Sequence, residues 1–167
     1  DSTLRFGRQK AVMYSERDPK NLPWASLGID LVIEASCYFT KRHLAQAHID
    51  AGASRVLVSA PCADADGTIV YGVNHTKIGP GDTVISAASC TTNCLAPLVA
   101  ALDQAYGLLG GVMTTVHAVT NDQRLLDLPH EKDRRRARSA LTNIIPTSTG
   151  AAKALKLVFP EATWTMD

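Results

Sequence analysis

Two short apolar runs constrain the fold of this chain more than any other feature. Asp30-Leu-Val-Ile-Glu34 and Arg55-Val-Leu-Val-Ser59 are continuous rather than alternating, the pattern of strands buried on both faces of a parallel sheet. Parallel neighbours need a crossover, and the residues between the runs supply one: Thr40 can cap a helix that reaches about Ala51 and closes at Gly52. This order predicts a βαβ unit in an α/β fold. Lys10 to Tyr14 adds a short strand before a Pro-containing loop that extends to Trp24. Thr68 to Val73 and Thr83 to Ser86 add two more.

The pattern changes near Gly110-Gly111, where a domain boundary is expected. Val112 to Val119 reads as one long strand, Asn121 to about Arg138 as a polar, charged loop, and Gly150 to Phe159 as an amphipathic helix. No internal repeat or low-complexity segment is present. At 167 residues the chain can bury a substantial core, about 70 % of its unfolded surface. A net charge of +1 provides no global field for nucleic acid or a membrane surface, so neither partner is expected. No apolar run reaches the roughly 20 residues of a membrane helix, and the N-terminus does not read as a signal peptide. Four cysteines without secretory context predict a reducing, cytoplasmic setting.

The chemistry concentrates in Ser86-Ala-Ala-Ser-Cys-Thr-Thr-Asn-Cys94. A strand pattern leads into it and a helix pattern, Leu95 to Tyr106, leads out, so Cys90 falls at a helix N-terminus with Ser89 as its N-cap. The positive end of the helix dipole favours a thiolate there, and the N–H groups of Thr91 and Thr92 are placed to face a developing oxyanion. Pro97 should kink that helix or end its first segment. Cys94, one turn on, reads as core packing, with a Cys90–Cys94 redox pair as a weaker alternative. By itself His117 reads as a hydrogen-bonded structural histidine. No fourth ligand stands at a zinc spacing from Cys90, Cys94 and His117, and no metal is expected. The basic run Lys132 to Arg138 reads as a solvated loop, a nucleic-acid patch or an anion site. Guanidinium forks suit phosphate, and the Thr147-Ser-Thr-Gly150 turn before a helix offers further donors.

Ser89-Cys-Thr-Thr-Asn-Cys94, Thr114-Thr-Val-His117, Thr120-Asn-Asp-Gln123, Arg135-Arg-Ala-Arg138 and Pro146-Thr-Ser-Thr-Gly-Ala-Ala-Lys153 together resemble the phosphorylating, bacterial-type glyceraldehyde-3-phosphate dehydrogenases in order and spacing. The resemblance runs from about Glu16 to the C-terminus. Erythrose-4-phosphate dehydrogenase shares the first motif, but the Pro146–Lys153 stretch is nearer the glyceraldehyde-3-phosphate enzymes. The resemblance implies part of a Rossmann-like NAD-binding domain over residues 1–89, followed by the beginning of an α+β catalytic domain over 90–167. It implies Cys90 as nucleophile and His117 as the base that activates it. Ser89, Thr91, Arg136, Thr149 and Gly150 would surround inorganic phosphate, and Thr120 and Asp122 the phosphate of glyceraldehyde 3-phosphate. Ser36, Phe39 and Ser59 would lie near NAD. It further implies a cytoplasmic homotetramer, and Leu128-Pro129 resembles the NAD-using rather than the NADP-using form.

The sequence departs from this pattern in places. No Gly-rich dinucleotide fingerprint occurs, Phe6-Gly-Arg8 being only a faint echo, so the chain reads as the middle of an enzyme. Ala87 stands where Asn is usual. Ala35-Ser-Cys-Tyr-Phe39 replaces Ser-Thr-Gly-x-Phe, and Cys37 strains that turn if its φ must be positive. His130-Glu-Lys-Asp-Arg is shifted in register against the commoner His-Lys-Asp-Leu-Arg. A non-catalytic chain that binds anionic partners through Lys132 to Arg138 is therefore the alternative reading, with a Cys90–Cys94 redox sensor a third.

Overall fold

The two apolar runs become neighbouring parallel strands in the computed structural model, which describes residues 2–166. An antiparallel hairpin, β1 (Thr3–Phe6) and β2 (Gln9–Val12), comes first, turning at Gly7 with φ +58°. Phe6-Gly-Arg8 is thus a hairpin turn, and the expected strand at Lys10–Tyr14 starts and ends earlier. After a short helix α1 (Trp24–Leu27), β3 (Leu31–Glu34) leads through α2 (Arg42–Asp50) into β4 (Arg55–Val58). β5 (Gly67–Thr68) and β6 (Val84–Ser86) complete a parallel sheet in the order β3-β4-β6-β5. Its register sets Val32 opposite Val56, and Val56 opposite Val84.

Val32, Val56, Val58 and Val84 pack with Ala45 of α2 and Ala53 beyond it. Each fully buried valine contributes about 1.5–3 kcal/mol relative to exposure. Burial on both faces holds for β6 but not for the edge strand β3, where Leu31 and Ile33 are exposed on the face turned away from Val32. Thr40 does not cap α2. The N-cap is Lys41, and the first N–H, of Arg42, donates instead to Asp64 Oδ1 at 3.0 Å from a distant loop. Gly52 does follow the helix end as expected, with φ +109°. A Cβ there would stand 2.5 Å from that of Ala25, so close packing as well as backbone conformation requires glycine.

α3 (Cys90–Tyr106) runs 17 residues without a break, so Pro97 neither ends it nor divides it; only the hydrogen bond from residue 97 to Asn93 is lost. α3 packs on α4 (Ala151–Val158) through Val99, Leu155, Val158 and Trp164. Residues 112–119 do not form the expected long strand. Among the described residues no second strand pairs with them, and the only bridge nearby is Gly111 with Met166. Without a partner ladder an apolar, β-branched segment stays irregular.

Candidate active site

Cys90 is presented by a strained strand-to-helix junction. Ser86 at the end of β6 is fully buried, and its hydroxyl donates to the Ala60 carbonyl at 2.9 Å while accepting from the N–H groups of Cys62 and Ala88. That anchor holds Ala88 at φ +59°, a left-handed conformation costly for any residue with a Cβ. Ser89 then caps α3, its Oγ accepting from Thr92 N at 3.0 Å, and Cys90 becomes the first helical residue. Thr92, expected to offer its N–H to an oxyanion, is fully buried and gives that N–H to Ser89. Of the remaining first-turn donors, the Thr91 N–H turns to the Cys90 sulfur and that of Cys90 faces away from the helix ladder. Ala87, in place of the usual Asn, still anchors this turn through its backbone: its carbonyl accepts from Asn93 Nδ2 at 2.7 Å.

Cys90 Sγ lies 3.3 Å from His117 Nε2, although the two are far apart in sequence. His117 Nδ1 is 2.7 Å from the Ala118 carbonyl, which can only accept, so the proton on that side of the ring belongs to Nδ1. Nε2 is left to take the thiol proton. The His117 contact, followed by the Thr91 hydroxyl and N–H, holds the Cys90 thiol below its ordinary range against the opposing effect of burial. His117 is raised, first by the Ala118 carbonyl and then by the sulfur. Both shifts favour transfer of the thiol proton to the imidazole.

A cleft of about 210 Å³ opens beside this pair. It is lined by Cys90, Thr91, His117, Thr120, Asp122, Arg136 and Thr149 among the residues expected from sequence, together with Gln123, Thr147 and Ser148, which were not assigned as site residues. Gln123 accepts from the Thr120 N–H at 2.8 Å and so shapes the turn that carries Thr120 and Asp122. The hydroxyl run before α4 was the signal for Thr147 and Ser148. Ser89 and Gly150 line a neighbouring cavity instead, and the Ser89 hydroxyl is occupied by capping. Arg136 forms an ion pair with Asp122, so residues expected at two phosphate sites share one cleft. The basic run is largely neutralised in place, with Arg135 on Asp133 at 2.8 Å and Arg138 on Asp127 at 3.4 Å. Cys94 is a free, exposed thiol and not packed in a core; with Cys90 it lines a second cavity along α3. Among the described residues no group of three or more His, Cys, Asp or Glu is arranged to hold a metal, and no helix is long and apolar enough to cross a membrane.

The turn after β3 borders a cavity of about 550 Å³ lined by Glu16, Arg17, Ser36, Tyr38 and Phe39. It lies beyond the carboxyl end of a parallel strand, where open α/β sheets bind ligands. Two aromatic rings, a guanidinium, a hydroxyl and the Glu16 carboxylate line it. Cys37 adopts φ +66°, the positive value feared from sequence. Ser36 braces the turn: its hydroxyl and N–H both approach Glu34 Oε1, and its oxygen accepts from Tyr38 N. Glu34, buried against His48, had no sequence signal beyond its place at a strand end. Ser59 is exposed at the end of β4 and lines none of the cavities described here.

Residues 89–167 match the family model described as glyceraldehyde 3-phosphate dehydrogenase, C-terminal domain. The chain is 56 % identical over 166 residues to glyceraldehyde-3-phosphate dehydrogenase 2 of Streptomyces avermitilis, covering 99 % of this chain and 49 % of that protein. It is 53 % identical over 168 residues to the glyceraldehyde-3-phosphate dehydrogenase of Streptomyces coelicolor, covering 100 % and 50 %. Against that of Geobacillus stearothermophilus it is 55 % identical over 161 residues, covering 96 % and 48 %. The chain thus spans about half the length of the curated relatives it matches.

Proposed function

Because this chain belongs to the glyceraldehyde-3-phosphate dehydrogenase family, we propose that it carries the thiol half of an NAD-dependent oxidative phosphorylation of glyceraldehyde 3-phosphate. The observation that carries this reading is the Cys90–His117 contact at 3.3 Å, beside a cleft that also holds Arg136. The Cys90 thiolate attacks the aldehyde carbon and forms a thiohemiacetal. The Cys90 and Thr91 N–H groups stabilise the oxyanion, His117 gives it the proton taken from the thiol, and the neutral imidazole then removes that hydroxyl proton as the carbon is oxidised to a thioester. NAD, when bound, supplies the hydride acceptor; Ser36, Phe39 and Ser59 are the residues we assign near it. Inorganic phosphate attacks the thioester and leaves as the acyl phosphate, 1,3-bisphosphoglycerate, with the thiolate regenerated. A thioester divides one difficult oxidation into two easier steps.

Arg136 and Thr149, with Ser89, Thr91 and Gly150 around the same helix starts, are assigned to the attacking phosphate. Thr120 and Asp122 are assigned to the phosphate of the substrate. We divide the chain into the C-terminal part of a Rossmann-like NAD-binding domain, 1–89, and the beginning of the catalytic domain, 90–167. Its setting in this reading is a cytoplasmic homotetramer. The test is NADH formation from glyceraldehyde 3-phosphate and NAD, with and without inorganic phosphate. The reading requires phosphate-dependent NADH that is lost in Cys90→Ser; NADH from that variant at the wild-type rate would overturn it.

A further inference from the structure

We propose that His130 is a positioning residue for the anion site, pinning the two sides of the loop that carries Asp122 and Arg136. This deepens the function proposed above and rests on Arg136 as an anion ligand. The region it belongs to has little else to hold it, since no residue from 111 to 150 is buried outright. His130 is the exception at the level of its side chain, which is only 6 % exposed.

Both of its ring nitrogens are used. Nδ1 accepts from the N–H groups of Lys132, at 3.2 Å, and Asp133, at 3.0 Å. The proton therefore sits on Nε2, which donates to the Asp122 carbonyl at 2.9 Å. Asp133, once oriented, caps the 3₁₀ turn Arg134–Ala137 by accepting from Arg135 N at 3.0 Å. Arg136 lies in that turn, and its guanidinium returns to the Asp122 carboxylate. The circuit is closed: imidazole to the Asp122 backbone, imidazole to the capped turn, guanidinium to the Asp122 side chain. Arg136 Nε is buried without a hydrogen-bond partner and faces the Asp133 carboxylate at 3.7 Å, so the Asp133 that His130 orients also steers the guanidinium.

The test measures binding of inorganic phosphate by calorimetry, with the alkylation rate of Cys90 as an independent readout. His130→Ala should weaken phosphate binding tenfold or more and leave alkylation unchanged. His130→Asn, whose amide oxygen can replace Nδ1 as acceptor, should recover most of that affinity. In an Arg136→Ala background, His130→Ala should add nothing, since it acts through the guanidinium. Unchanged affinity in His130→Ala, no rescue by Asn, or an additive loss in the Arg136→Ala background would each overturn the proposal. Should His130→Ala fail to fold, His130→Phe, which keeps a ring but loses both the acceptor and the donor nitrogen, takes its place with the same expectations. Wild-type protein with no affinity for phosphate would overturn the anion-site reading itself, and this proposal with it.

Discussion

Cys90 and His117 face each other at 3.3 Å, and their shifts run in opposite directions. The lowered Cys90 thiol means that thiolate persists to lower pH than in an ordinary cysteine, chiefly because His117 faces it. His117→Asn is expected to move the midpoint of the pH profile for iodoacetamide alkylation upward; an unmoved profile would separate the pair. Both residue types were legible from their motifs, but the 3.3 Å contact that couples them was not. A second residue-scale expectation concerns Cys37, held at φ +66° where a side chain is strained. Cys37→Gly should gain up to about 1 kcal/mol in urea unfolding, since relief of roughly 1–2 kcal/mol exceeds the entropic cost of glycine.

At the scale of elements, a single carboxylate joins helix to sheet. Asp66 accepts from Arg42 of α2 at 2.7 Å, from Thr83 N and Oγ1, and from Val84 N of β6. The Arg42 bond, aided by these N–H groups, holds its carboxyl well below the usual carboxylate range. A depressed folded pKa adds stability that is present above the unfolded value, about 4, and is lost as pH falls. Asp66→Asn should therefore cost about 1.5–3 kcal/mol at pH 7, with the difference from wild type shrinking under acid. Urea unfolding from pH 7 downward checks this. No local pattern announced Asp66, or Asp64 as the cap of α2, because both act on elements distant in sequence.

The molecule as a whole is packed unevenly. One hydrophobic cluster is built around the sheet and α2 and the other around α3, α4 and Trp164, whereas residues 111–150 contribute no buried position. Hydrogen exchange should accordingly be slowest at the β4 and β6 amides and fastest across 112–150. Comparable protection in that segment would contradict the packing. The charge pattern belongs to this scale too: Arg135 and Arg138, in the run that read as an anionic-partner patch, are engaged by Asp133 and Asp127.

Sequence by itself determined the βαβ arrangement, the helix start at Cys90 and the chemistry of the side chains that meet there, since periodicity, capping and reactivity are local properties. Tertiary structure alone decided that the 112–119 run forms no strand, that α2 is capped from another loop, and that Arg136 reaches Asp122 through a ring of bonds centred on His130. Each of these depends on which partner is within hydrogen-bond reach, and reach is a property of the folded chain.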